Sequence, residues 1–108
     1  MPPTSYTALP GGHGVGSSQS FNYDKVRIDF TAGMNSDAGN YNTTFAVLRD
    51  GVVIYEQDND NNRTLCLFYI DQNVPYGTHT YSIQWKRTGG SGTGPIIKNS
   101  ALVVSTFQ

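Results

Sequence analysis

Two segments of this 108-residue chain hold residue types at spacings that could do chemistry. Asp58-Asn59-Asp60-Asn61-Asn62 sets oxygen-bearing side chains at its first, third and fifth places, as a calcium loop does. Such a loop needs glycine at the sixth place and a bidentate glutamate at the twelfth, where this chain has Arg63 and Tyr69. A solvated connection between strands is the better reading. Gly12-His13-Gly14-Val15-Gly16 has the glycine density of a phosphate cradle. A cradle follows a strand and opens a helix, so that backbone N–H groups meet the anion, and neither neighbour is expected here.

Nucleophilic catalysis needs a base beside a nucleophile. The two histidines are His13 and His79, and no serine or cysteine stands in a nucleophile motif near either. Carboxylates at Asp24, Asp29, Asp37, Asp50 and Asp71 supply raw material for a triad without a pattern that assembles one. The one cysteine, Cys66, lies in the apolar run Leu65-Cys66-Leu67-Phe68, which predicts a buried, inert thiol. The chain is expected to be no enzyme and to hold no metal and no cofactor.

Seven Lys and Arg against eight Asp and Glu give a net charge of −1 with no block of one sign. That balance does not favour nucleic acid or anionic lipid as partners. Charged residues make up 14% of the chain, below the usual share of about 25%, while Gly, Ser, Thr, Asn and Tyr are plentiful. Short strands and many turns use that composition. No apolar run approaches the roughly 18 residues of a membrane span, and no apolar signal-peptide core is read at the N-terminus.

The elements that would position any site are strands. Residues 25–30 alternate, with Val26, Ile28 and Phe30 on one face. Residues 44–48 and 52–55 flank Arg49-Asp50-Gly51, a hairpin signal because glycine takes positive φ without steric cost. Further strands are expected over 64–70, 78–86, 95–98 and 101–107, with loops over 32–41 and 89–94 and a turn at Asn99-Ser100. His79, Tyr81, Ile83 and Trp85 share one face, Trp85 being an apolar anchor first and a sugar platform second. Val26, Ile28, Phe30, Val47, Ile54, Phe68, Ile83 and Trp85 form the expected core. In the last strand Leu102 and Val104 occupy one face and Val103 and Phe107 the other, which predicts a strand buried on both sides, either central between layers or lying against another subunit.

Seven short strands without helical periodicity predict an all-β fold, an antiparallel jelly-roll or β-sandwich. It would occupy residues 21–108 behind an extended Gly/Pro-rich N-terminal arm, residues 1–20, that cannot hold a regular element alone. Tyr6, Leu9 and Val15 are spaced along that arm as isolated anchors for a neighbouring protein. Tyr76, beside Pro75, is a candidate contact for a glycan or a partner, and Val103 and Phe107 are candidates for a subunit interface.

Three stretches carry a resemblance: Thr44-Phe45-Ala46-Val47-Leu48-Arg49-Asp50-Gly51-Val52-Val53-Ile54-Tyr55, then Gly77-Thr78-His79-Thr80-Tyr81-Ser82-Ile83-Gln84-Trp85, and Asn99-Ser100-Ala101-Leu102-Val103-Val104. This hairpin, strand and terminal strand resemble those of small jelly-roll virion modules of tailed bacteriophages, found as capsid cement or decoration proteins and as fibre-tip domains. The likeness covers roughly residues 25–108 and leaves the arm outside it. It implies a structural virion protein, commonly a homotrimer, made in the host cytoplasm. The short chain favours a decoration protein that binds and stabilises the assembled shell, with the major capsid protein or another virion protein as partner. A tail-fibre-tip or receptor- or carbohydrate-binding module is the alternative.

Overall fold

A computed structural model of the chain describes residues 6–9, 14, 17–21, 24–36, 41–60, 64–90 and 95–107. Eight strands run in order: β1 (Thr7–Ala8), β2 (Ser17–Phe21), β3 (Lys25–Ser36), β4 (Tyr41–Arg49), β5 (Val52–Asp60), β6 (Thr64–Asp71), β7 (Gly77–Gly90) and β8 (Pro95–Phe107). Among the described residues there is no helix.

All pairing is antiparallel and forms two sheets. One sheet has the order β1-β7-β4-β5, with β2 also on β7, and the other the order β6-β3-β8. The molecule measures 45 × 23 × 19 Å. The shortest extent suits two sheets about 10 Å apart with side chains on their outer faces. The inner faces supply Val26, Ile28, Phe30 and Ala32 from β3, Phe45 and Val47 from β4, Leu65 and Leu67 from β6, and Tyr81, Ile83 and Trp85 from β7. Burying each of the larger apolar side chains contributes about 1.5–3 kcal/mol.

Several expectations are corrected. Phe68 is 49% exposed and Cys66 is also exposed. Leu65 and Leu67 face the core, so strand alternation turns Cys66 and Phe68 outward. An unbroken apolar run carries no parity, and here the side chains of one parity reach solvent. Val103, at 54% exposure, likewise faces out, so within one chain β8 is not central between layers and its outer face is open. Ile54 is only partly buried against the core, beside the register shift at Val47/Leu48 that interrupts the β4–β5 ladder.

Strands also run further than the turn residues suggested. β3 continues through the glycine- and asparagine-containing stretch to Ser36, β5 through Asp60, and β7 to Gly90. The expected turn at Asn99-Ser100 is part of β8. Gly33 pairs Asn99 and Met34 pairs Ile97, leaving Lys98 as the extra residue of a bulge. The Asn99 side chain fixes that bulge by accepting the Gly33 N–H at 3.1 Å through Oδ1.

The arm's described residues are held by the domain's own sheet. Thr7 and Ala8 pair with Trp85 and Gln84, Ser17 to Phe21 pair with residues 81 to 77, and Leu9 is buried in the core. Between them the Gly14 carbonyl accepts the Ile83 N–H at 2.9 Å. Gly14 has φ +69°, and a Cβ there would lie 2.9 Å from both the Ile83 carbonyl oxygen and Leu9 Cδ1. Gly14→Ala should therefore destabilise the fold by about 1–3 kcal/mol, read by denaturant unfolding. An unchanged midpoint and slope would show that this crossing does not hold the arm.

Candidate interaction surfaces

Among the described residues, three polar clusters and one exposed sheet face gather most of the side chains that could act. The most enclosed cluster joins the two sheets. Asp71, at the end of β6, is buried and accepts from Arg49 Nη1 and from the Tyr81 hydroxyl, both at 2.7 Å on Oδ2. Arg49 comes from β4 and Tyr81 from β7. Burial, followed by the hydrogen bond and charge of Asp71, raises the Tyr81 pKa far above its ordinary value, so the phenol stays protonated and donates. Desolvation works against the charge of Arg49, but the hydrogen bond and charge of Asp71 outweigh it and raise its pKa.

The second cluster lies at the β4–β5 turn. Asp50 and Gly51 both have positive φ, 53° and 83°, as a two-residue hairpin turn of the primed type requires. Asp50 Oδ1 accepts the Thr80 N–H at 2.9 Å, and the Asp50 N–H donates to the Thr80 carbonyl at 2.8 Å. Asp50 Oδ2 lies 2.7 Å from His79 Nδ1, while His79 Nε2 lies 2.7 Å from the Pro75 carbonyl oxygen. Both ring nitrogens face acceptors, so the imidazolium is the form that satisfies both. The nitrogen that would serve a nucleophile as base is held by a backbone carbonyl, and the arrangement ties the hairpin tip to the loop before β7.

The third cluster straps the chain's start across the larger sheet. The Tyr6 hydroxyl donates to Glu56 on β5, and Lys86 Nζ on β7 lies 4.7 Å from the Tyr6 ring centroid and 3.8 Å from Glu56. Desolvation, then the hydrogen bond to Glu56 and the charges of Glu56 and Asp58, raise the Tyr6 pKa. Tyr6 is thus used inside its own domain, as is Leu9, and neither stands free as an anchor for a neighbour. Val15 and His13 lie outside the described residues.

The outer face of β6-β3-β8 is of a different kind. Asp29 at its centre pairs with Phe68 on one side and Val103 on the other. The next row is Cys66, Thr31 and Ala101, all exposed. Arg27 lies with its guanidinium 4.9 Å from the Phe68 ring centroid and its Nε 2.8 Å from Asp29 Oδ2. The ion pair is neutral overall, and aromatic and aliphatic groups flank it. Phe107 pairs in register with Lys25 at the end of this sheet, its side chain outside the described ones. Tyr76, 75% exposed, stands apart next to the carbonyl that holds His79.

Val103 therefore shares this outer face with Phe68, expected in the core, with Asp29 of the central strand between them. Asp58, from the calcium-like run, accepts the Thr44 hydroxyl at 2.8 Å, and residues 61–63 lie outside the described ones. Among the described residues there is no cavity and no group of three potential metal ligands.

Fold and surfaces together define an all-β, sandwich-like domain whose accessible chemistry is an exposed, neutral, partly apolar sheet face. No family model, no curated protein and no solved structure matches the chain.

The Asp50–His79 pair makes stability depend on pH. The hydrogen bond to Asp50, then that to the Pro75 carbonyl, raise the His79 pKa against desolvation and the charge of Arg49. The hydrogen bond from His79, then the Thr80 N–H, lower that of Asp50. The His79 contribution is complete below the ordinary histidine value of about 6.5 and is lost as pH rises through its raised value. That of Asp50 is complete above the ordinary carboxylate range and is lost as pH falls through its lowered value. The melting temperature should thus decline as pH rises above about 6.5, and His79→Phe should remove that decline. A wild-type profile as flat as the variant's would contradict the pairing.

Proposed function

We propose that this chain is a structural module that works by packing against other proteins, in the virion setting implied by its sequence resemblance. The reading is that of a decoration protein seated on an assembled shell of a tailed bacteriophage. The observation that carries the packing part is the outer face of β6-β3-β8, where exposed Phe68 and Val103 flank the neutralised Arg27–Asp29 pair. Exposed Phe68 and Val103 give this face apolar area to bury against a protein, and the compensated ion pair between them offers no net charge to attract polyanions. The virion part rests on the sequence resemblance alone.

The strand orders support the finer reading of the fold as a jelly roll. An eight-stranded jelly roll orders its sheets β1-β8-β3-β6 and β2-β7-β4-β5. Here β8-β3-β6 and β2-β7-β4-β5 follow that scheme, and only β1 departs from it by pairing with β7.

Exposed Tyr76 favours a second reading, a module for a receptor or carbohydrate, since an aromatic ring at a loop can stack on a sugar. Co-sedimentation with assembled shells separates the two. Phe68→Asp should keep the fold and weaken shell binding about tenfold or more, as losing an aromatic anchor does, while Tyr76→Ala leaves it unchanged. Shell binding insensitive to Phe68→Asp would remove this face from the account. Binding to host cells or glycans, lost with Tyr76→Ala, would favour the second reading.

A further inference from the structure

The two sheets of a sandwich have four edges, and an edge left bare invites pairing with another chain. Among the described residues three are guarded. The β7 side ends in β1 and β2, edge strands of only two and five residues. The β5 edge strand carries acidic Glu56, Asp58 and Asp60. The β6 edge is met by the Gln57 side chain, whose Nε2 donates to the Cys66 carbonyl at 3.0 Å. The fourth edge is β8, which ends its sheet with β3 as its one paired strand among the described residues. Its protective features, Pro95, Lys98 and the bulge, gather in its first few residues. Residues 101–106, Ala101-Leu102-Val103-Val104-Ser105-Thr106, carry neither charge nor proline. In jelly-roll order this edge is the place of β1, which here lies on β7.

We infer that the β8 edge pairs antiparallel with β8 of a second copy of this chain, about a two-fold axis at Val103, joining two three-stranded sheets into one. This names a partner within the packing function proposed above and rests on that reading. The self-pairing is chosen by sequence. About that axis Val103 faces the second copy's Val103, a β-branched pair that favours strands, and Leu102 faces Val104. Ala101 faces Ser105. Lys98, the one charge in β8, is placed at opposite ends of the paired segment in the two copies, about 30 Å apart, whereas a parallel in-register pairing would set the two lysines side by side. The two-fold operation uses both bare edges and closes, leaving only guarded edges outside.

Sedimentation of the intact chain over the micromolar range tests the inference. Wild type should form a dimer. Ala101→Lys with Ser105→Lys, both at exposed positions, sets lysine against lysine twice and should leave a folded monomer. Ala101→Lys with Ser105→Glu sets opposite charges together and should restore the dimer. Val103→Cys in a Cys66→Ser background should oxidise to a covalent dimer, while Tyr76→Cys in that background should not. This cross-link keeps the test open should the lysine variant fail to fold. A wild type that stays monomeric throughout, or a trimer or other assembly without the Val103→Cys cross-link, would overturn the pairing. Shell binding is read separately, so a monomer that still binds shells through Phe68 would overturn the pairing alone and leave the proposed function standing.

Discussion

The Asp71 carboxylate is the point through which the two sheets are tied. Asp71 ends β6 in the smaller sheet, and its two partners, Arg49 and Tyr81, stand on adjacent strands of the larger one. Apolar contact between sheets is non-directional and would tolerate sliding, whereas a buried carboxylate with two short donors does not. A buried ion pair is weak evidence for net stability, since desolvation offsets much of its attraction. Its effect here is positional. Arg49 is fixed immediately before the Asp50–Gly51 turn, so the same tie sets where the hairpin tip meets His79.

From that tie the inside and outside of the domain follow. With Asp71 facing inward, alternation along β6 sends Tyr69, Leu67 and Leu65 toward the core and Ile70, Phe68 and Cys66 away from it. β3 answers in register, so Ile28 and Phe30 go in while Arg27 and Asp29 go out. The exposed face is therefore a consequence of the same parity that seats the carboxylate. A slip of one residue would bury Arg27 and Asp29 and leave Asp71 without its partners.

Much of this is legible in the sequence, and the gaps have physical causes. The clean alternation of residues 25–30 locates β3, and Arg49-Asp50-Gly51 locates the hairpin, because each signal is local. Phe68 and Cys66 were misplaced because an uninterrupted apolar run has no parity until a neighbour assigns one. The exposure of Val103 depends on which strands cover β8, so within one chain its face is open. Glycine and asparagine over residues 32–36 and 99–100 were read as loops, yet cross-strand pairing and a bulge hold them in strands. The Asp71 cluster joins residues 49, 71 and 81 from three strands, and the Asp50–His79 pair spans 29 positions, distances at which only topology brings side chains together. The arm was read as unable to order alone, and the residues that order it, Ile83 and Trp85 of β7, lie far along the chain.

A double-mutant cycle between Asp71→Asn and Tyr81→Phe, followed by denaturant unfolding, tests the tie most directly. If Asp71 locks the sheets through Tyr81, the two substitutions should be strongly non-additive, with a coupling energy of about 1–3 kcal/mol. Additive effects, with coupling near zero, would contradict the account and leave the sheets held by apolar packing and by peripheral contacts such as Gln57 with the Cys66 carbonyl.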